Sequence, residues 1–302
     1  MLTFADTVTW NYTLEDPSLP FSVDNLAFTT LFNASTPAAE DETEFYRSCA
    51  AIELRGFDAL KDVSALAGLI HTYQSTGLTP ADEMIKAPLD SLKAILNDIT
   101  QLLAGVRPSS ENRGCKPEVF YSSVRPWYRG HDATGENSRP WIYEGVEDAA
   151  NDLELSGPSA GQTYLFHVLD QFVGVNHGQS SKPFMDRMPL YMPSEQRDMI
   201  RDVGCSSIDL RHVVQSSTQL PACFNEVLDA MVAFRTEHIK VATRYVISPS
   251  KGSQSTCPFS GMVANTSRSC PIGAKSRGTG GNEAIPLLKG SRDATKRAAI
   301  II

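Results

Sequence analysis

His238 is the residue whose type and setting most directly suggest chemistry. It lies in a long amphipathic stretch, and Arg235 precedes it by about one helical turn. A neutral imidazole beside an apolar stripe is a good axial ligand for haem iron. A histidine in such a stretch is more often hydrogen-bonded in the core or exposed at the surface, so both roles stay open. The other five histidines show no spacing typical of a metal site.

A second candidate, Arg125, lies in an aromatic run that includes Phe120, Tyr121 and Trp127. A guanidinium can bind a carboxylate through two parallel hydrogen bonds, and Phe120 and Tyr121 could wall an apolar ring. The alternative, which spacing alone favours, is a structural arginine packed on Trp127. The GTGG segment at residues 278–281 could bind an anion through its backbone amides. A flexible linker is the more common role of such a segment.

Helices must position these residues, and the apolar pattern predicts where the helices lie. Apolar residues recur at helical spacing over residues 40–74 and 84–106, and Pro88 is expected in a first turn, where proline is tolerated. Further helices are predicted after the turn at 157–162, over 221–247 with Pro249 as the stop, and over 283–299. Residues 250–277 are rich in Ser, Gly, Thr and Lys, which predicts a mobile loop. Because strand alternation is absent, the predicted fold class is all-α.

Composition excludes several classes of protein. The 302 residues carry a net charge of −8 without a basic stripe, which argues against a nucleic-acid partner. We expect no membrane association and no secretion, because no apolar run is long enough to span a bilayer and the first residues do not resemble a signal peptide. The six cysteines are widely spaced and predict free thiols in a reducing compartment. A cytoplasmic protein is expected.

Seven blocks, in order along the chain, form a further pattern. They are FYRSCAAIE (45–53), FYSSVRPWYRG (120–130), YEGV (143–146), SAGQ (159–162), YMP (191–193), FRTEHI (234–239) and GTGG (278–281). Together they resemble the indoleamine 2,3-dioxygenase family, the haem enzymes that open the indole ring of tryptophan, and particularly its fungal members. The resemblance implies the multi-helix, haem-binding large domain of that family.

Residue roles follow from matching positions in this resemblance. His238 matches the proximal ligand of haem b, and Arg125 matches the arginine that meets the substrate carboxylate. Phe120 and Tyr121 match the pair that lines the indole, although animal relatives usually have phenylalanine where Tyr121 stands. Ala160 matches the small residue over the haem.

Further matches concern the walls of the site. Phe4 and Val8 resemble the distal wall, and Cys49 occupies the place of a frequent distal serine. Thr279 matches a loop threonine near the substrate. Asp170 and Arg235 match a pair that braces the proximal side, which would orient the imidazole.

The implied reaction is insertion of both atoms of O₂ across the indole C2–C3 bond of L-tryptophan, or of a related indoleamine, to give N-formylkynurenine. Haem carries the difficult chemistry, so no residue is expected to act as an acid or base. We expect a monomer. One alternative is a haem-binding paralogue that is catalytically weak or inactive, and another is a helical interaction module without haem. Cys257-Pro258 and Cys270-Pro271 could be haem-responsive dipeptides, although chance occurrence is more common.

The resemblance begins at the first residue. We therefore expect the small amino-terminal helical domain of the family to have no counterpart in this sequence, either because the protein is a genuinely short form or because the start of the gene was misplaced. We expect residues 1–302 to form one helical catalytic domain.

Overall fold

The structure, a computed structural model, describes residues 2–106, 114–130, 155–179, 181–252 and 283–301. Within these residues six principal helices carry the fold: α1 (Ala39–Thr76), α2 (Asp82–Ala104), α3 (Tyr164–Phe172), α4 (Ser194–Ser216), α5 (Leu220–Ala242) and α6 (Ala284–Arg297). The prediction of an all-α class is confirmed. None of the helices in these ranges is both long and apolar enough to cross a membrane.

Shorter elements join the principal helices. Strands β1 (Tyr12–Leu14) and β2 (Leu26–Phe28) form an antiparallel ribbon that sequence alternation does not reveal, since three residues are too few. Single helical turns make up the rest. The π turns are Ala5–Thr9, Phe120–Val124 and Thr243–Ile247; the 3₁₀ turns are Val23–Asn25, Arg125–Tyr128, Ala160–Gln162 and Met188–Tyr191; the short α-helices are Pro117–Val119, Lys182–Arg187 and Ser248–Gly252.

Helix α2 shows how the apolar pattern specifies the core. Its buried residues recur every three or four positions and face α1 and α5: Ile85, Leu89, Leu92, Ile95, Leu96, Ile99 and Leu103. The expected position of Pro88 is wrong, because the helix starts at Asp82 and places Pro88 in the second turn. Its missing N–H leaves the Met84 carbonyl without a helical partner, but Met84 is exposed, so water can reach this part of the backbone.

Helix α1 ends at a left-handed glycine, whereas the helix that contains His238 does not end where the sequence predicts. Gly77 ends α1 in the left-handed region at φ 72°, and its N–H donates to the Tyr73 carbonyl. The prediction that Pro249 stops the helix containing His238 is wrong. After α5 the backbone continues through a π turn and the short helix Ser248–Gly252. Pro249 is the second residue of that short helix.

Two hydrophobic clusters pack side by side. The larger one joins the second half of α1 to α2, α3, α4, α5 and α6. The smaller one joins the amino-terminal segment, through Phe4 and Val8, to the start of α1 and to Val124 and Tyr128. A cavity opens between the clusters and takes lining residues from both. The site described below occupies this boundary.

Candidate active site

The cavity has a volume of about 360 Å³ and a mostly apolar wall. The amino-terminal segment, α1, the Phe120–Tyr128 segment, the Pro158–Thr163 turn, α3, α5 and α6 all contribute to it. Several ionisable side chains interrupt the apolar surface: Glu53, Arg125, His167, Asp170, Arg235 and His238. A concave apolar site with a few polar groups is typical of a ligand pocket.

His238 reaches the cavity from the core-facing stripe of α5. Phe224, Met231 and Phe234 on this stripe are buried in the larger cluster, and His238 follows one turn after Phe234, where the cluster gives way to the cavity. Burial, together with the nearby Arg235 charge, lowers the pKa of His238 to about 4. The imidazole is therefore neutral at pH 7. Within the described residues its ring makes no hydrogen bond, so a ring nitrogen is available to a ligand.

A buried ion pair lies one turn before His238. Arg235 donates through Nη2 to Asp170 on α3, and the ring of His177 donates to the other Asp170 oxygen at 2.9 Å. Burial opposes ionisation of Asp170, but Arg235 and His177 outweigh it and lower the pKa of this carboxyl. Asp170 therefore remains charged and fixes the Arg235 side chain next to the cavity.

Replacing Asp170 by asparagine is expected to reduce the free energy of unfolding by about 2 kcal/mol at pH 7, since a charge-assisted bond to a buried guanidinium is lost. The folded-state pKa lies below the ordinary value of 3.8, so the stabilisation is complete above pH 3.8 and is lost as the pH falls below 3.8 through the folded-state pKa. Urea denaturation from pH 7 to pH 3 should show a constant difference between the two proteins down to about pH 4 and a shrinking one below it. Asp98→Asn, which removes an exposed partner of Arg55, is the control and should cost less than about 1 kcal/mol. A pH-independent difference would contradict this account.

Arg125 lies at the junction of a π turn and a 3₁₀ turn. It is buried, lines the cavity, and stands over the Tyr121 ring at 5.4 Å. Burial and the charge of Arg129 lower its pKa to about 10, so the guanidinium stays charged at neutral pH. The sequence left open a structural role in which Arg125 packs on Trp127. In the structure Trp127 stacks on Phe32, with ring centroids 5.3 Å apart. Phe120 lines the cavity, while Tyr121 lies beside Arg125 and outside the lining.

Phe4, Val8, Cys49 and Ala160 all lie on the cavity wall, as the resemblance implies. The Gln162 side chain accepts the Phe4 N–H at 2.9 Å, which ties the amino-terminal segment to the turn that carries Ala160. Burial raises the pKa of the Cys49 thiol to about 12, so this group stays protonated and neutral. Thr279, the GTGG segment and most of the 250–277 loop lie outside the described residues.

Two wall segments touch through glycines. A Cβ on Gly157 would come within 2.2 Å of the Tyr128 carbonyl oxygen, and one on Gly130 within 2.1 Å of the Gly157 nitrogen. Because these atoms belong to the backbone, they cannot rotate away as a side chain would. The close approach sets the distance between the Arg125–Tyr128 turn and the turn that carries Ala160.

Gly157→Ala is expected to destabilise the fold by about 1–3 kcal/mol, because the added methyl group must push the two segments apart. Thermal unfolding measures this. Gly68→Ala on α1 is the matched control, since no atom lies within 4 Å of its Cβ position, and it should be neutral or stabilising. Equal effects of the two substitutions would contradict the proposed contact.

Sequence reasoning missed Glu53 and Thr163. Both line the cavity, and the Thr163 hydroxyl donates to Glu53 at 2.5 Å across the gap between α1 and the start of α3. A signal for Glu53 was present in the helical spacing, because it follows Cys49 by one turn and shares its face of α1.

The wall fits a haem on three observations. His238 offers a neutral imidazole nitrogen, the ligand form that haem iron requires. Apolar side chains offer a surface for the macrocycle: Ile52, Val106, Phe166, Phe234, Val241 and Leu288. Arg235 has a buried Nε that bonds no other described residue, which suits an acidic side chain of the haem.

Comparison with known proteins shows which family the chain is similar to. A sequence model of the family described as "Indoleamine 2,3-dioxygenase" matches residues 1–298. The chain belongs to the indoleamine 2,3-dioxygenase family. It is 29% identical to human indoleamine 2,3-dioxygenase 2 over 302 residues, which is 98% of this chain and 67% of the human protein. Membership confirms the prediction of an oxidoreductase of the dioxygenase class.

Two other relatives carry different names. A 6-hydroxytryptophan 2,3-dioxygenase of Fusarium equiseti is 26% identical over 261 residues, covering 84% of this chain and 60% of that protein. A myoglobin of Haliotis madaka is 30% identical over 189 residues, covering 62% of this chain and 45% of that protein.

Proposed function

We propose that this protein is a haem-dependent dioxygenase that inserts O₂ across the indole C2–C3 bond of L-tryptophan to give N-formylkynurenine. The observation that carries the proposal is the pairing of His238 and Arg125 on one apolar cavity, the first with a free imidazole nitrogen and the second with a buried positive charge. This reaction belongs to tryptophan catabolism through the kynurenine pathway, which also feeds NAD synthesis.

His238 would hold haem b through its iron. The bound haem supplies the metal centre at which O₂ reacts with the indole ring. Asp170 holds Arg235 in place, and the free Nε of Arg235 would receive an acidic group of the haem. These contacts would fix the cofactor in the cavity.

Substrate binding would depend on the opposite wall. Arg125 would bind the tryptophan carboxylate, because a buried guanidinium strongly favours an anionic partner. Phe120, Phe4 and Val8 would pack against the indole ring and exclude water, while Ala160 leaves room for the ring. Thr279 would close the site, a role that rests on the resemblance alone. The protonated Cys49 thiol adds no charge to this region.

A single assay tests the proposal. The chain is loaded with haem, reduced, and given L-tryptophan and O₂, and N-formylkynurenine is measured against a His238→Ala control. Product formed by the wild-type protein alone supports the proposal. A normal haem spectrum without product at saturating tryptophan contradicts it.

A second candidate is a haem protein without turnover. The relative named myoglobin favours it, because that name is not the name of a dioxygenase. This candidate predicts haem retention through His238 and no N-formylkynurenine at any tryptophan concentration. The assay above therefore separates the two candidates.

A further inference from the structure

His177 is a buried imidazole that the proposed reaction does not use. It stands behind the cavity wall, because it is not among the residues that line the cavity, whereas Asp170 and Arg235 both are. Only 9% of its side chain is exposed, and its Nε2 lies 2.9 Å from Oδ2 of Asp170. Its other ring nitrogen, Nδ1, is buried and bonds no other described residue. Among the described residues, Asp170 is therefore the polar partner that holds this ring.

The backbone after α3 brings His177 back to this carboxylate. The Val175 N–H donates to the Asp170 carbonyl at 2.8 Å, which closes a turn directly after the helix. Arg211 of α4 donates through Nη1 to the Val173 carbonyl at 3.1 Å and ties the same turn to a neighbouring helix. His177 follows Asp170 by seven residues, yet the two side chains meet in one buried contact. The turn therefore fixes the position of the imidazole without help from a ligand.

The two carboxylate oxygens of Asp170 have separate partners. Oδ1 accepts from Nη2 of Arg235, and Oδ2 accepts from Nε2 of His177. The torsion that turns an aspartate carboxylate has a broad energy profile, so a bond to Arg235 alone would leave the carboxylate plane free to rotate. A second donor on the other oxygen fixes that plane. His177 therefore sets the direction in which Asp170 offers its charge to Arg235.

The position of the Arg235 charge matters at His238, the residue proposed to hold the haem. This charge adds to burial in lowering the pKa of His238, so the guanidinium lies within electrostatic range of the imidazole. The buried Nε of Arg235 is also the group proposed to receive an acidic side chain of the haem. A displacement of Arg235 would change both effects.

His167 is a second imidazole in this region, one turn before Asp170 on α3, but it does not support the carboxylate. Its Nε2 lies 2.9 Å from the Gly161 carbonyl oxygen and donates to it. Among the described residues, the donor to Oδ2 of Asp170 is His177.

We propose that His177 is a positioning residue for the haem site: through Asp170 it fixes Arg235, and so it raises both the affinity for haem and the reduction potential of the bound iron. The inference rests on the proposed function, which places haem on His238. The role requires a proton on Nε2, the atom that faces the carboxylate.

The direction of the effect on the potential follows from Coulomb's law. A positive charge held near the iron favours the ferrous form, which carries one positive charge less than the ferric form. Without His177, Arg235 would be held less firmly and the Asp170 carboxylate would be less well neutralised. Both changes favour the ferric form and make the potential more negative.

The experiment compares two substitutions in the haem-loaded protein. His177→Phe keeps a ring without a donor, and His177→Gln keeps an N–H donor. The readouts are the rate at which haem passes to a haem-scavenging apoprotein in excess and the midpoint potential from a spectroelectrochemical titration. We expect His177→Phe to lose haem roughly tenfold faster than the wild-type protein and to have a more negative potential. His177→Gln should retain most of the wild-type behaviour in both readouts.

Asn176→Ala is the matched control, because Asn176 is the exposed neighbour of His177 in the same turn. It should change neither readout. The route is tested by adding His177→Phe to Asp170→Ala, which removes the link to Arg235. In that background His177→Phe should change the rate of haem loss by less than about twofold, since residues of one network do not act additively.

Thermal unfolding shows whether each variant is folded, and if Asp170→Ala is not, the comparison of His177→Phe with His177→Gln decides. Equal losses in those two variants, a full effect of His177→Phe in the Asp170→Ala background, or an unchanged potential in His177→Phe would overturn the inference while leaving the proposed function intact. If the wild-type protein retains no haem, the proposed function fails as well.

Discussion

His238→Ala is expected to abolish stable haem binding. The imidazole is the candidate iron ligand on the cavity wall. It is neutral at pH 7 because burial lowers its pKa to about 4, and no described residue makes a hydrogen bond to its ring nitrogens. Its removal would take away the proposed bond to iron and would leave only apolar packing and the proposed Arg235 contact. The measurement is haem absorbance after gel filtration of the reconstituted protein.

Added imidazole should partly restore the spectrum of His238→Ala, since the substitution leaves a space of the size of the ring. His212→Ala is the control, because His212 is exposed on α4 and away from the cavity. It should retain haem fully. Normal haem binding by His238→Ala would show that the ligand assignment is wrong.

Arg125→Ala is expected to weaken tryptophan binding by about 2–4 kcal/mol, because it removes the cationic partner of a carboxylate in a buried site. This corresponds to a loss of affinity of roughly thirtyfold or more. Spectral titration of the haem-loaded protein with tryptophan measures the effect. The loss should appear mainly in the Michaelis constant, since in the proposed function the guanidinium would bind a group that does not react.

Tryptamine, which lacks the carboxylate, provides an internal test of this role. Wild-type protein and Arg125→Ala should bind tryptamine with similar affinity, so that the large difference is confined to tryptophan. Arg55→Ala, which breaks the exposed pairs with Asp58 and Asp98, should change neither affinity. An unchanged affinity of Arg125→Ala for tryptophan would exclude the carboxylate role.

The parts of the fold that the sequence predicts are those with a strong apolar stripe. The stripe from Ile85 to Leu103 predicts α2 to within two residues at each end. Helix α4 escaped prediction, because two positions on its buried stripe are serines, Ser206 and Ser207, which interrupt the apolar pattern. The stop at Pro249 failed for a local reason, since proline can begin a new helical turn as readily as it ends an old one.

The candidate site was predictable to a different degree on each wall. Histidine and arginine have few structural uses among apolar residues. Their residue types alone therefore single out three positions in the sequence: His238, Arg235 and Arg125. Tyr121 was expected beside Phe120 in the lining, but neighbours in a π turn point in different directions and the ring lies by Arg125 instead. The bond between Glu53 and Thr163 depends on how α1 packs on the start of α3, which no spacing within α1 encodes.

The three π turns have a consequence for how the length of this chain can vary. A π turn holds one residue more than the α turn it replaces, and each of these turns contributes to the cavity wall. Deleting one residue from Phe120–Val124 would leave this turn one residue short of π winding and would reposition Arg125, the residue that follows it. Arg125 would then leave the wall although the composition of the segment had barely changed. A one-residue deletion here should therefore inactivate the protein more thoroughly than many substitutions, and homologous chains should vary in length elsewhere.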